Sequence, residues 1–278
     1  MSPLHIDRIL AWTLKGFAAL AGCIVLLVVL FVAFESLPAL REIGIRRFLT
    51  DSSWHPGSGQ YNMTPMIVGT LAVAVGAVLL AAPTGIAAAL FIRFYAPRNL
   101  GFLFAKLIEL LAGIPSVVFG FWGLVVLVPI VSSSLLAGIL ILSLMILPTV
   151  SLVAHISLGK VQSDHIRGAA AVGLTRWGMI SQVILPAARP GLVTGILLGA
   201  ARAVGETMAV VMVCGNVVQL PGSLLDPVRT LTANIALEMA YATDSHRSVL
   251  FVSGLVLMSL VGILIVVAEL SGRRRFHA

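Results

Sequence analysis

Residues 191–215 have the sequence GLVTGILLGAARAVGETMAVVMVCG, which is uncharged except at Arg202 and Glu206. About 20 residues of apolar helix cross the hydrocarbon core of a bilayer, so this stretch is long enough to span a membrane. A charged side chain at the centre of such a helix costs about 2.5 to 3.5 kcal/mol on insertion scales and must face protein, water or a partner charge. The stretch therefore predicts a transmembrane helix with two ionisable groups near its middle.

The rest of the chain has the same apolar character. Of its 278 residues, 59% are hydrophobic and 10% are charged, whereas about 25% are charged in a typical soluble domain. This composition excludes an ordinary soluble globule and predicts an all-α polytopic membrane protein. Hydropathy indicates six transmembrane helices, at residues 17–37, 66–92, 110–131, 135–158, 191–215 and 249–270.

Lysine and arginine are divided unevenly between the two sides that these helices define. If both termini lie inside, the cytoplasmic segments contain twelve of these residues and the opposite segments contain five. Cytoplasmic loops of membrane proteins are the richer in Lys and Arg. The division therefore predicts that both termini are cytoplasmic and that residues 216–248 lie outside.

Arg202 and Glu206 are four residues apart, which places them one turn apart on the same face of a continuous helix. Two interpretations are open. The two residues form a structural ion pair, or they line an anion path, in which the cation attracts the anion and the carboxylate weakens its binding enough for release. Ionisable groups within a membrane are functional by default, which favours the anion path.

The segment 159–190, predicted to be cytoplasmic, is too long for a simple turn and too short for a domain. It contains the small residues Gly168, Ala169, Ala170 and Ala171, followed by Gly173 and later by Pro186. A short helix with small residues at a bend presents its backbone for close docking of a partner protein. The alternative is an interfacial helix that rests on lipid headgroups.

Sequence signatures of catalysis are absent from the chain. It has no HExxH, no GxxxxGK[ST] phosphate loop and no GxSxG, and none of its six histidines is paired at i, i+4. Cys23 and Cys214 both lie inside apolar stretches, without a CxxC, and are interpreted as packing residues. We expect no metal, no cofactor and no enzymatic activity from this chain itself.

Several strings resemble one family. The spacing from Gly173 to Leu185 and Pro186 is similar to the cytoplasmic EAA motif of bacterial ABC-importer permeases. More specific strings resemble PstC-type permease subunits of the phosphate-specific ABC transporter: SWHP at 53–56, MIVGT at 66–70, GIPSVVFG at 113–120, MILP at 145–148, RAVGETMAV at 202–210 and RTLTANIALEM at 229–239.

This resemblance implies a type I ABC-importer permease in the bacterial inner membrane, a chain that forms half of a path for inorganic phosphate. It implies an N-terminal helix and periplasmic loop (1–65), a permease domain (66–270) with a cytoplasmic coupling loop (159–190), and a basic cytoplasmic tail (271–278). The implied site residues are Arg202 and Glu206 for translocation and Arg167, Gly168, Ala169, Gly173 and Pro186 for coupling to the ATPase.

The implied partners are a homologous PstA-type permease, a dimer of PstB-type ATPase subunits, a periplasmic PstS-type phosphate-binding protein, phosphate and membrane lipid, with no nucleic acid. The chain departs from the family pattern where Arg167 replaces the glutamate that opens the EAA motif and Gly168 its first alanine. Three alternatives remain: a permease for sulfate or molybdate, a secondary transporter, for which Glu206 alone is thin support, and an intramembrane hydrolase, for which His155 lacks a mate.

Overall fold

The computed structural model describes residues 3–273, which form a helical bundle with one small hairpin. The helices are α1 (Pro3–Glu42), α2 (Arg47–Thr50), α3 (Thr64–Leu90), α4 (Arg98–Gly113), α5 (Ser116–Trp122), α6 (Val128–Val131), α7 (Leu135–Gly159), α8 (Ser163–Ala171), α9 (Arg176–Met179), α10 (Leu185–Gly205), α11 (Met208–Val213), α12 (Leu231–Glu238) and α13 (Asp244–Arg273). Strands β1 (Trp54–His55) and β2 (Gln60–Tyr61) pair in antiparallel fashion around a 3-10 turn, Pro56–Ser58.

Three π-helical segments extend or join these helices. They are Phe91–Tyr95 after α3, Gly123–Leu127 between α5 and α6, and Ile180–Ile184 between α9 and α10. With them, five stretches of the described chain are long and apolar enough to cross a membrane: Leu10–Glu42, Thr64–Tyr95, Leu135–Gly159, Arg176–Gly205 and Asp244–Val267. A sixth span results when α4 and the segment Ser116–Val131 are counted as one broken span, in agreement with the predicted number.

Two of the predicted spans are not continuous helices. Within 110–131, α4 ends at Gly113 and the chain bends by 95° before α5 begins. Ile114 is extended, with ψ 129°, because the ring of Pro115 disfavours helical backbone in the residue before it. Within 191–215, α10 ends at Gly205 and Glu206 is extended, with ψ 132°.

The centre of the bundle is the pair α3 and α7, which approach closely because α3 presents small residues. A Cβ on Gly76 would lie 2.5 Å from Cδ1 of Ile139, and one on Gly85 would lie 3.1 Å from the side chain of Val150. Helices in membranes associate through such small-residue faces. Helix α1 lies at the periphery and contacts α13, with Phe31 and Phe251 edge to face at 5.8 Å.

The bundle has two ends, which we call the hairpin end and the α8 end. At the hairpin end, a buried apolar cluster joins the hairpin to α3, α12 and α13 through residues such as Trp54, Tyr61, Met66, Leu231 and Val249. At the α8 end, a second cluster joins α3, α7 and α10. The hairpin is therefore packed against the helices through its buried side chains.

Candidate translocation site

Arg202 lies about midway along the bundle. Helix α10 packs against α7, so that Gly195 faces Val153 and Gly199 faces Val150. One turn further on, Nη1 of Arg202 donates to Oγ1 of Thr149 at 3.3 Å. Thr149 is near the middle of α7, which spans the bundle from Leu135 to Gly159. Arg202 therefore lies at mid-depth although it belongs to the last turn of α10, and its side chain is exposed on the surface of the chain.

Of the two interpretations of Arg202 and Glu206, the structural ion pair is not observed, and the two residues do not share a continuous helical face. Because α10 ends at Gly205, Glu206 does not continue the helical face of Arg202. Its Oε1 instead accepts a hydrogen bond from the backbone N–H of Ala209 at 3.2 Å, in the first turn of α11. No ion pair joins Arg202 to any carboxylate of the described residues. Within the described residues, the guanidinium has Thr149 as its side-chain partner and no carboxylate.

The two broken spans meet beside this site. Helix α11 packs against α5, where a Cβ on Gly120 would lie 2.8 Å from Cα of Ala209 and 2.8 Å from Sδ of Met212. Non-helical backbone at membrane depth is tolerated where it is buried in protein or lines a cavity. Helix α5 packs on α11 directly after the break between Gly205 and Met208, while Arg202, before the break, is exposed.

Helix α12 holds the break from the hairpin end. Oγ1 of Thr232 donates to the carbonyl oxygen of Glu206 at 2.8 Å, and the backbone N–H of Leu231 donates to Oγ1 of Thr70 in α3 at 3.0 Å. The approach of this segment to α3 also requires Gly69, since a Cβ there would lie 2.8 Å from the carbonyl oxygen of Arg229. Sequence reasoning did not find these contacts.

A buried carboxylate lies at the other end of α12. Oε1 of Glu238 accepts from Nη1 of Arg229 at 2.7 Å, and both carboxylate oxygens accept from Nε1 of Trp54, at 3.0 and 3.1 Å. Nε2 of His246 lies 2.9 Å from Oε2. Arg229 also donates to the carbonyl oxygen of Asn216 and to Oδ1 of Asn234. We call these residues the Glu238 cluster.

Sequence reasoning missed this cluster because its members are far apart in the chain. Trp54 and Glu238 are 184 positions apart, and Arg229 and Glu238 are nine positions apart, which is not the i, i+3 or i, i+4 spacing of a helical pair. The one available signal was that both charges fall inside the string RTLTANIALEM. A cavity of about 920 Å³ lies above the cluster, lined by Ser52–Ser58 of the hairpin, by residues 218–220 and by Arg229 and Glu238.

The hairpin is held to its neighbours by Asp51. Its Oδ2 accepts from the backbone N–H of Tyr61 at 3.0 Å, and its carboxylate pairs with Arg47 at 3.2 Å. The hydrogen bond from Tyr61 and, next, that from Arg47 lower the pKa of the Asp51 carboxyl below its ordinary value. The carboxylate is therefore ionised throughout the physiological range.

The five residues expected to couple to an ATPase lie in or near α8. Arg167, Gly168 and Ala169 are within the helix, and Ala169 is buried. Gly173 follows in the left-handed conformation, with φ +76°, which only glycine adopts readily. A Cβ on Gly168 would meet nothing within 4 Å. Pro186 lies outside α8, in the first turn of α10, and follows the segment that contains the buried Ile180 and Ile184.

The cysteines differ from each other. Cys214 directly follows α11 and is buried against Gly138 in the first turn of α7, as expected of a packing residue. Cys23 is exposed on α1. The described residues include no group of three or more His, Cys, Asp or Glu side chains that could hold a metal ion.

Comparison with known proteins identifies the family. Residues 81–275 match the family model described as binding-protein-dependent transport system inner membrane component. The chain is 40% identical to the "Probable ABC transporter permease protein YqgH" of Bacillus subtilis, over 89% of this chain and 85% of that protein. It is 35% identical to the phosphate transport system permease protein PstC of Xylella fastidiosa, over 80% of this chain and 77% of that protein. The identity to PstC of Haemophilus influenzae is 30%, over 95% and 92%.

Solved structures share the fold. A chain of the MetNI methionine ABC transporter in an inward-facing conformation matches with a TM-score of 0.62 at 20% identity, over 76% of this chain and 94% of that one. A chain of a bacterial alginate ABC transporter matches with a TM-score of 0.68 at 16% identity, over 98% of both chains. The type I importer architecture is thus confirmed. The protein is a membrane transport component and not an enzyme, and it belongs to the PstC-type branch of the inner-membrane permeases of binding-protein-dependent transport systems.

Proposed function

We propose that this chain forms half of the translocation path for inorganic phosphate and that Arg202 is the residue that attracts the anion. The observation that carries the proposal is an arginine at mid-depth whose charge no carboxylate of the described chain neutralises and whose side chain is exposed. A lone cation at that depth is too costly to face lipid, so it faces a water-filled path or a partner subunit. The printed names of the PstC relatives support phosphate as the anion.

The chemistry around Arg202 suits an oxyanion. A guanidinium binds phosphate oxygens through charge-assisted, often bidentate hydrogen bonds, and the hydroxyl of Thr149 is a further polar group within 3.3 Å of Nη1. Glu206 supports the site through its position and not through an ion pair, because its carboxylate is engaged with α11. Sulfate and molybdate have the same tetrahedral oxygen arrangement and remain the second candidates.

The remaining assignments complete the proposal. The α8 residues Arg167, Gly168 and Ala169, with Gly173 and Pro186, dock a dimer of PstB-type ATPases, supported by the open space around Gly168 and the left-handed turn at Gly173. A PstA-type permease supplies the other half of the path, and a PstS-type protein delivers phosphate at the hairpin end.

In this proposal the hairpin end lies outside the cell and both termini lie in the cytoplasm. The chain consists of the N-terminal helix and periplasmic loop (1–65), the permease domain (66–270) and the basic tail (271–278). Residues 274–278 lie outside the described part of the chain. A reagent that cannot cross the membrane is expected to label Ser58→Cys in intact cells and to spare Ser271→Cys, in a background without the native cysteines. The reverse labelling would contradict the orientation.

The decisive experiment is uptake of radiolabelled phosphate by the complete transporter in proteoliposomes. Arg202→Gln should assemble with its partners and lose uptake, whereas Arg202→Lys, which keeps the charge, should retain part of it. Arg189→Gln is the matched control, because Arg189 is an exposed arginine of the same helix at its other end and should leave uptake near the parental rate. Uptake by Arg202→Gln at the parental rate would refute the assignment, and competition by sulfate or molybdate stronger than by phosphate would select the second candidates.

A further inference from the structure

Helix α12 links the break beside Arg202 to the surface of the hairpin end. Its first turn contacts the break through Thr232 and α3 through Leu231. Its last residue, Glu238, belongs to the cluster that contacts the hairpin and α13. At eight residues, the helix is about 12 Å long, and it extends from the break to the Glu238 cluster.

The bonds at the break run in one direction. The hydroxyl of Thr232 has a single proton, which goes to the carbonyl oxygen of Glu206, since a carbonyl can only accept. The hydroxyl of Thr230, 3.0 Å away, must therefore donate to Oγ1 of Thr232. Oγ1 of Thr230 in turn accepts from the backbone N–H of Ala233, which caps α12. The cap of α12 and the position of the Glu206 carbonyl are thus parts of one chain of hydrogen bonds.

The opposite end of α12 is held by charge. Glu238 is 6% exposed, and it accepts hydrogen bonds from Arg229 and from Trp54 of strand β1. Between the two ends, Thr232, Ala233 and Asn234 are buried. Only Ala236 of this helix is exposed, so a movement of the hairpin that displaces Trp54 and Glu238 is expected to displace the helix as a unit.

We propose that α12 is a strut that transmits movement of the hairpin surface to the helix break beside Arg202, and that Thr232 is the positioning residue at its inner end. The cavity above the Glu238 cluster is the place where a docking partner would exert that movement. The role of this movement in transport rests on the proposed function, in which a substrate-binding protein docks at the hairpin end. The mechanical link itself rests only on the contacts described.

The link is tested by the accessibility of the break in the complete transporter. Cys23→Ser and Cys214→Ala remove the native cysteines, and Thr207→Cys places a thiol in the break. The rate of modification by N-ethylmaleimide is then measured in proteoliposomes. Thr232→Val, which keeps the shape and removes the hydroxyl, should raise the rate about fivefold, the effect on an opening equilibrium of losing the one hydrogen bond that reaches the break, to the Glu206 carbonyl. Thr232→Ser, which keeps the hydroxyl, should restore the parental rate.

Matched control variants test whether the change in labelling rate is specific to the contacts of α12. Thr194 is a half-buried threonine of α10 whose hydroxyl bonds only within its own helix, to the carbonyl of Pro190, so Thr194→Val should not change the rate. At the outer end, Trp54→Phe removes the N–H that reaches Glu238 and should raise labelling at position 207, whereas Trp12→Phe, on exposed α1, should not.

Equal rates in Thr232→Val and Thr194→Val would overturn the positioning role. A rise in Thr232→Val without a rise in Trp54→Phe would overturn the transmission from the hairpin. Labelling does not depend on the transported anion, so a failure of the Arg202→Gln uptake experiment leaves this result intact, and the converse also holds.

Discussion

Replacing Glu238 by glutamine tests whether the Glu238 cluster holds the hairpin end together. The substitution keeps the size of the side chain and removes its charge. Glutamine offers one oxygen as an acceptor, and its amide N–H₂ cannot accept from Arg229 or Trp54; it finds an acceptor only if Nε2 of His246 is unprotonated. Arg229 loses its charged partner in either case.

The expected cost follows from burial. Removing one partner of a fully buried ion pair costs about 3 to 5 kcal/mol. Arg229 is not fully buried, with 20% of its side chain exposed, and it keeps its bonds to Asn216 and Asn234. We therefore expect Glu238→Gln to lower the free energy of unfolding by about 2 to 4 kcal/mol.

The assay is unfolding of the purified chain in detergent micelles by increasing SDS, followed by circular dichroism. Glu109→Gln is the control, because Glu109 forms an exposed pair with Lys106, which is worth at most about 1 kcal/mol. Arg229→Gln completes a double-mutant cycle, and its effect should not add to that of Glu238→Gln, since both remove the same pair. A loss in Glu238→Gln no larger than in the control, or full additivity with Arg229→Gln, would refute the reasoning.

Three further predictions concern packing, coupling and pH. Gly138→Ala should destabilise the fold by about 1 to 3 kcal/mol, because its methyl group would collide with Sγ of Cys214; Cys214→Ala should restore stability in that background, and a lack of rescue in the same SDS titration would locate the cost elsewhere. Gly168→Trp should leave ATP hydrolysis by the assembled transporter measurable while phosphate uptake falls, because the ring fits the open space at Gly168 in this chain but would collide with a docked ATPase. Gly16→Trp, in equally open space on α1, is the control. Normal uptake by Gly168→Trp would contradict the docking assignment. Asp51→Asn should lower the thermal stability of the protein near neutral pH. Because the pKa of Asp51 is lowered in the folded state, its stabilisation is complete above its ordinary value of 3.8 and is lost as the pH falls through the lower folded value, so melting curves of the two proteins should converge in acid, and a gap that persists there would exclude the carboxylate as its source.

Much of this protein could be predicted from local sequence. The spans 135–158 and 249–270 fall within helices α7 and α13, and 66–92 falls within α3 and the π-helical segment that follows it, because hydropathy sums contributions that neighbouring residues make independently of the fold. The short helix with small residues in 159–190 is α8, and Arg202 stands out in any sequence because charge at membrane depth is rare. The bend in 110–131 had a visible cause in Pro115, but its size, 95°, depends on what packs on either side.

The partners of the charged groups were decided only by the tertiary structure. The four-residue spacing of Arg202 and Glu206 predicts a pair on a continuous helix, yet the helix ends between them, and Glu206 bonds to Ala209 while Arg202 reaches Thr149 on another helix. Glu238 lies in the string RTLTANIALEM, which carries the family resemblance, but its bonding partners appear only when the fold brings Trp54 and His246 to it. The physical reason is that burial in lipid is a property of each segment alone, whereas a hydrogen bond to a buried charge needs two atoms within about 3 Å, and segments far apart in the chain reach that distance only when the whole bundle has packed.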